Sequence, residues 1–398
     1  MEAYLLEWAS LLGRWLHLVT GIAWIGASFY FVWLDNHLLP PGDPTVAARG
    51  VGGEVWAVHG GGFYNAHKYR LAPATVPSPL HWFYWEAYAT WLSGFFLLCL
   101  LYYRAPERYL VDPAVADLGG GAAVGLGLGT LVLGWLVYDG LCRALGHRER
   151  VLGVAIAVLL AASAGGLCQL FSGRGAYIQF GAMLGTIMGA NVFFVIIPGQ
   201  RAMVAAAGRG EPPDPRHGQR GKQRSVHNTY FTLPVLFAML SNHYAITYGA
   251  THNGLVLIAL CGAGAAIRAW FVARHRAHER GGSTPIAPVI AGVAVIAATV
   301  WALHPAPLPT PAGPPAFATV AAIVERRCAG CHADHPTQPG FAAAPKGYRF
   351  DSAERIRLHA AEIATQIGTG AMPLGNLTGM TLEERATVRA WAEAGAPP

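Results

Sequence analysis

The sequence predicts an all-α chain in two parts: a polytopic eight-helix transmembrane bundle with both ends on the outer side, then a small helical domain. Three observations carry that expectation. Of 398 residues, 53% are hydrophobic and only 13% charged, about half the charged fraction of an ordinary soluble domain. Eight apolar runs approach or reach the roughly 20 residues that a spanning helix needs. A proline-rich stretch then divides those runs from a more polar C-terminal segment.

The runs cover residues 11–34, 82–103, 119–141, 151–170, 178–197, 230–248, 255–272 and 286–303. Before the first stand Glu2 and Glu7 with no basic segment, and no small-residue cleavage site follows, so it reads as a retained helix rather than a signal peptide. Loops after the first, third, fifth and seventh runs carry 3, 3, 6 and 3 Lys/Arg, against 2, 1 and 0 after the second, fourth and sixth. The richer loops belong in the cytoplasm, which puts both termini outside. The net charge of +6 therefore reflects membrane topology, with lipid as the surrounding partner and no nucleic acid. The third run opens on Gly119, Gly120 and Gly121 and continues through Gly125, Gly127 and Gly129. It matches neither G-x-G-x-x-G nor a Walker pattern and reads as small residues for close helix packing.

Residues 304–315, HPAPLPTPAGPP, hold six prolines. Such a segment is an extended spacer reaching roughly 35 Å at about 3.1 Å per residue, separating a membrane domain at 1–303 from a second domain at 316–398. Beyond it, residues 317–327 read as a helix leading into Cys328-Ala329-Gly330-Cys331-His332. C-x-x-C-H is the attachment motif for c-type haem: the thiols of Cys328 and Cys331 add to the two vinyl groups and His332 becomes the proximal iron ligand. A zinc site would want a second Cys/His pair downstream, and Cys331 is the last cysteine. Met372, followed by Pro373, supplies the sixth ligand, a soft thioether that raises the reduction potential; Met380, with no proline after it, is the fallback. Thr381 with Glu384 forms a capping box opening a terminal helix to about residue 394. Helix, C-x-x-C-H, ligand Met, terminal helix is the order of a small class I cytochrome c. Covalent haem c is attached outside the cytoplasmic membrane, so motif and charge pattern agree on a bacterial inner-membrane protein with a periplasmic cytochrome domain. The other cysteines, Cys99, Cys142, Cys168 and Cys261, lie in or beside apolar runs and read as small hydrophobes.

Ionisable groups inside spans are costly and usually functional, and the chain has 16 histidines. By depth, His17 and His243, with His252 nearby, lie toward the outer face. His81 and His227 lie toward the inner face, beside His59 and His67. Each face thus offers a bis-His pair for b-type haem, one or two in all, with His17 placed deepest. The stretch 59–70, HGGGFYNAHKYR, combines three glycines with Phe63, Tyr64, Asn65, Lys68 and Arg70, and the acids Glu86 and Asp139 fall near the same face. It reads as a cytoplasm-facing pocket for a flat anionic substrate, in which Tyr64 stacks, Asn65, Lys68 and Arg70 bind, and Glu86 is the nearby acid. The plainer alternative is that Lys68 and Arg70 only obey the positive-inside rule.

The segments GRWLHLVTGIAWIGASFYFVWLDNHL, HGGGFYNAHKYRLAP, LHWFYWEAYATWLSG and SVHNTYFTLPVLFAMLSNHY resemble the membrane-bound bacterial urate hydroxylases, the PuuD family, which join an apolar helical domain to a C-terminal cytochrome c. The first helix alone is also similar to the four-helix haem-binding protoporphyrinogen oxidase family, where a His at the position of His17 ligates haem b. The first resemblance covers essentially the whole chain. It implies oxidation of urate to 5-hydroxyisourate in purine catabolism, with electrons passed through haem to the tethered cytochrome c and on to a soluble cytochrome c or terminal oxidase. A cytochrome subunit taking electrons from quinol or a partner dehydrogenase is the alternative, and it would not need the polar stretch at 59–70.

Overall fold

The computed structural model describes the chain except residues 280–281, 305–306, 312, 314, 339–340 and 342. The spacer reading of 304–315 therefore falls partly outside the described residues, at 305, 306, 312 and 314; residues 307–311 carry neither helix nor strand.

Helix α1 (Glu2–Asn36) is followed by a short α2 (Pro44–Ala48) and strands β1 (Val51–His59) and β2 (Gly62–Tyr69). Next come α3 (Trp85–Leu98), continued by a π-helical turn at Cys99–Tyr103, and then α4 (Pro106–Tyr109), α5 (Gly120–Leu145) and α6 (Glu149–Cys168). α7 (Gly173–Ala190), a π-helical segment Asn191–Ile196 and α8 (Ile197–Gly208) form one continuous 36-residue rod. α9 (Pro215–Ser241), α10 (Ala245–Tyr248), α11 (Asn253–Glu279) and α12 (Ala287–Ala302) complete the apolar part. Among the described residues five helices are long and apolar enough to cross a membrane, and α12 is a shorter apolar helix. The second and sixth runs fall short for visible reasons: α3 is only 14 residues before its π turn, and α9 begins on a polar half.

Capping fixes several of these ends. The Asp214 carboxylate accepts from the Arg216 N–H at 2.9 Å with Pro215 in the first turn of α9, and Ser172 Oγ accepts from the Gly175 N–H at the start of α7. α7 packs on α3, α5, α6 and α9, and α11 on α1, α6, α9 and α12, so that α1, α3, α7, α9 and α11 follow one another around a ring. The core runs along α5, α6 and α7 through Leu131, Tyr138, Tyr177, Phe180 and Leu184, all buried. Close packing by small residues holds at Gly127, where an added Cβ would meet the Tyr103 hydroxyl at 2.9 Å, and at Gly134 against Met183; Gly121, Gly125 and Gly129 face open space.

Among the described residues, the departure from an all-α chain is the antiparallel pair β1·β2, with His59 opposite Gly62 and Glu54 opposite His67. The glycines read as a ligand-approach loop are its turn: Gly60 and Gly61 have φ of 57° and 81°, the positive values that a two-residue hairpin connection requires. Val55, Trp56 and Val58 on one strand, with Phe63, Tyr64 and Tyr69 on the other, are residues that favour pleated backbone.

The C-terminal part comprises α13 (Phe317–Arg327), α14 (Ala353–Leu358), α15 (Ala360–Gly368) and α16 (Leu382–Glu393). Its own core gathers Val320, Ile323, Val324, Ile363, Val388 and a fully buried Trp391. The Trp391 indole N–H donates to the Pro397 carbonyl at 2.9 Å, satisfying its polar atom. Thr381 and Glu384 make the expected capping box reciprocally. This part touches the apolar bundle: Leu374 packs against the bundle core beside α10, and the Arg108 guanidinium lies 5.1 Å from the Phe341 ring centroid.

Candidate functional site

At the end of α13 the chain turns through one more helical bend, the Cys331 and His332 N–H groups both donating to the Cys328 carbonyl. Spacing of three and four residues along such a turn brings Cys328, Cys331 and His332 to one side. His332 packs against Phe350 at 4.9 Å, and its Nδ1 meets the Tyr348 carbonyl at 3.0 Å. That bond fixes the tautomer and leaves Nε2 to face a metal, the usual support for a ligating histidine. Burial pushes the Cys328 thiol up to about 11 and raises the Cys331 thiol, so both are protonated near neutrality. Two thiols and an anchored imidazole are the donor set that a covalently attached c-type haem requires.

Met372 sits half-buried on the loop after α15, and that loop is held by one side chain. Arg385, nearly buried on α16, donates to the carbonyls of Ile367 and Met372 at 2.8 and 2.7 Å and to Asn376 Oδ1 at 2.9 Å. Met380 instead lies inside the C-terminal core, its backbone clasped on both sides by the Asn376 amide. Arg385→Leu leaves the Met372 carbonyl without its donor, worth about 1–3 kcal/mol when buried, while the Ile367 carbonyl keeps the Gly370 N–H and Asn376 Oδ1 keeps the Met380 N–H. Under the expectation of a c-type haem held by Cys328, Cys331, His332 and Met372, the result is unchanged covalent attachment with a weakened methionine ligand, read as a fall in reduction potential. An unaltered redox titration would show that Arg385 does not position the loop.

Within the bundle, His17 faces α3. Its Nδ1 lies 3.0 Å from the Thr90 carbonyl and 3.1 Å from Ser93 Oγ, again leaving Nε2 as the second donor atom. Its ring rests on Gly94, where an added Cβ would come within 2.8 Å of the imidazole. Beside it an apolar cleft of about 400 Å³ opens between α1 and α3, lined by Gly13, Leu16, Leu92, Ser93 and Phe96. The other candidate ligands are placed apart from it. His243 is exposed in the turn after α9, and His81 is exposed before α3 against the edge of Phe83. His227 Nδ1 pairs with the Tyr138 hydroxyl at 2.7 Å. Among the described residues no group of three or more His, Cys, Asp or Glu could hold a metal ion.

The Tyr138–His227 pair belongs to a buried polar network that the sequence reading missed. Arg224 donates to Asp139 Oδ1 at 2.6 Å and to Asn191 Oδ1 at 3.3 Å, and its guanidinium lies 5.0 Å from the Tyr138 ring centroid. Asn191 in turn donates to the Tyr138 hydroxyl and to Asn228 Oδ1. Asn191 opens the π-helical segment of the long rod; such π turns insert an extra residue and re-aim side chains, frequently at functional sites. Arg224 was counted only as a topological charge. Asn191, polar inside an apolar run, carried a readable signal.

Strand alternation divides the substrate-binding candidates. Tyr64 and Lys68 point to one face of the hairpin, Asn65 and His67 to the other. Asn65 Nδ2 donates to Glu54, which His67 also approaches. Glu54 is held below the usual carboxylate range by the Gly42 N–H and by the Asn65 amide. Lys68 is ion-paired with Asp35 at the end of α1. Tyr64, Phe63 and Arg70 are exposed. Glu86, in the first turn of α3, has a buried Oε2 without a hydrogen-bond partner.

Comparison with the curated proteins and with the solved structures returned no match. A family model described as Urate oxidase N-terminal matches residues 3–303, a stretch that contains His17, the hairpin, the π-helical rod and the whole Asp139–Arg224 network. The chain therefore belongs to the Urate oxidase N-terminal family, whose chemistry is urate-related oxidation.

Proposed function

We propose that the chain is a urate hydroxylase that delivers its electrons to its own C-terminal cytochrome c. The observation that carries this reading is the union, in one chain, of a bundle matching the Urate oxidase N-terminal family with a Cys328/Cys331/His332 turn whose imidazole is anchored on the Tyr348 carbonyl. In the balanced reaction urate gains the oxygen of one water at C5, giving 5-hydroxyisourate, and loses two protons and two electrons. Cys328, Cys331, His332 and Met372 would hold haem c. His17 would hold a b-type haem, with His81, His227 and His243 as the pool for further axial ligands. Bound haem supplies a one-electron acceptor whose potential a methionine ligand raises. A soluble cytochrome c or a terminal oxidase is the onward acceptor.

The eight apolar segments span the bacterial inner membrane, the hairpin side in the cytoplasm and the cytochrome domain in the periplasm, as the Lys/Arg asymmetry directs. Urate is a planar monoanion at neutral pH. The exposed Lys68, Arg70, Tyr64 and Asn65 on and beside the hairpin collect it by charge and ring contact at the mouth, and Glu86 at the foot of α3 accepts a proton. Anaerobic addition of urate to the purified full chain should reduce covalent haem while urate disappears. Reduction by quinol but never by urate would instead make the chain an electron-transfer subunit. In oriented vesicles, Lys68→Ala or Arg70→Ala should raise the urate KM from the cytoplasmic side. Arg216→Ala, in the first turn of α9 rather than on the hairpin, should leave KM unchanged; equal kinetics in all three variants would remove the hairpin from the substrate path.

A further inference from the structure

Arg268 lies in α11 at 7% exposure. Its guanidinium stacks on Phe29 of α1 with the central carbon 3.8 Å from the ring centroid. Stacking satisfies the face of the cation and leaves its edge, where the N–H groups point. On that edge Nε and Nη2 are both buried and, among the described residues, without a hydrogen-bond partner. These two N–H groups are the parallel pair with which arginine grips two adjacent acceptors side-on. Asp139, the buried acid of the Arg224 network, is already shared by Arg143 and Arg224. A buried cation with an open fork is costly unless an anion completes it.

The depth of this fork follows from neighbouring contacts. Phe31, half a turn beyond Phe29, meets Phe83 just before α3 at 4.9 Å, so Phe29 is level with the foot of α3. Gly264, one turn before Arg268, packs on Leu233 of α9, and Tyr230, one turn back from Leu233, is close enough to interact electrostatically with Arg268. Asn228 and His227, in the next turn of α9, belong to the buried network. Arg268 thus lies in the same layer as that network and as the unpartnered Glu86 Oε2, at the hairpin end of the five-helix ring.

We infer that Arg268 is the anion anchor of the bundle, taking two adjacent acceptors of a planar anionic heterocycle in line with its fork while Phe29 supports the cation from behind. The inference rests on the urate-oxidising reading and names the residue that would bind the substrate within the bundle, inside the entry surface formed by the hairpin. A second source of the same chemistry is a carboxylate of a bound cofactor, and the two are separable.

The test is equilibrium binding of labelled urate to the purified full-length holoprotein, with haem content measured on the same samples. Arg268→Gln should weaken binding roughly ten- to a hundredfold. Arg268→Lys, which keeps the charge and loses the fork, should fall between Gln and wild type. A neutral purine of similar size should bind wild type and Arg268→Gln alike. Unchanged urate affinity in folded Arg268→Gln would overturn the inference, and so would a loss confined to haem with urate binding intact, which would assign the fork to the cofactor. If wild type itself binds no urate, the urate-oxidising reading fails and the anchor fails with it, an outcome distinct from both.

Discussion

Asp139→Ala is expected to destabilise the bundle by about 3–5 kcal/mol, the cost of leaving a buried charge without its partner. Arg224 is 4% exposed and places Nη2 2.6 Å from Asp139; its remaining contacts are the neutral Asn191 amide and the aromatic faces of Trp135 and Tyr138. None of these neutralises the charge. The second partner of Asp139, Arg143, is 78% exposed and can turn to solvent, so Arg143→Ala should cost at most about 1 kcal/mol. Because the penalty belongs to the orphaned charge, Asp139→Ala combined with Arg224→Leu should recover most of the loss. Thermal and denaturant unfolding of the detergent-solubilised chain would measure all three variants. Asp139→Ala within about 1 kcal/mol of wild type, or a double variant less stable than Asp139→Ala alone, would show that the ion pair is not what holds this layer.

Replacing Cys328 and Cys331 together by alanine should abolish covalent haem, seen as loss of haem stain in a denaturing gel, while the bundle still inserts. The bundle has its own buried core along α5 to α7 and does not depend on the C-terminal core around Trp391. Met372→Ala should leave the stain intact and lower the reduction potential, since a soft thioether ligand is what raises it. Retained stain in the double cysteine variant would dismiss the attachment motif. An unchanged potential in Met372→Ala would transfer ligation to Met380, which lies in the apolar cluster against which Cys328 packs.

The helical part of the fold was legible because apolar runs of spanning length leave few alternatives in lipid. Run 178–197 became a single rod from 173 to 208, and run 230–248 began well upstream, at Pro215. These extensions are amphipathic or polar turns that a hydropathy reading trims. The hairpin was also written plainly, as Gly60-Gly61 between stretches rich in Val and aromatic residues, a signal that a reading for apolar spans passes over. Among the candidate site residues, Cys328, Cys331 and His332 stand out from spacing alone because the motif they form is local. Arg268 carried the same signal as Asp139, a charge inside an apolar run. The open edge of its guanidinium could not be read, since it depends on where α1 and α9 stand around it.

The contact of Leu374 with the apolar bundle has a kinetic consequence. Leu374 follows Met372 by two residues, so the loop proposed to carry the axial methionine is the edge of the C-terminal domain that meets the bundle beside α10. A tether as short as the twelve-residue segment 304–315 keeps that edge at an effective concentration on the order of millimolar. At that concentration an interface with a dissociation constant of about 1 mM, roughly −4 kcal/mol, is closed half the time. So feeble a contact would go unnoticed between separate molecules, yet within one chain it would hold the domain half the time and release it as often. On the proposed reading, the same edge would alternate between the bundle and an onward electron acceptor at an intramolecular rate that does not fall when the protein is dilute.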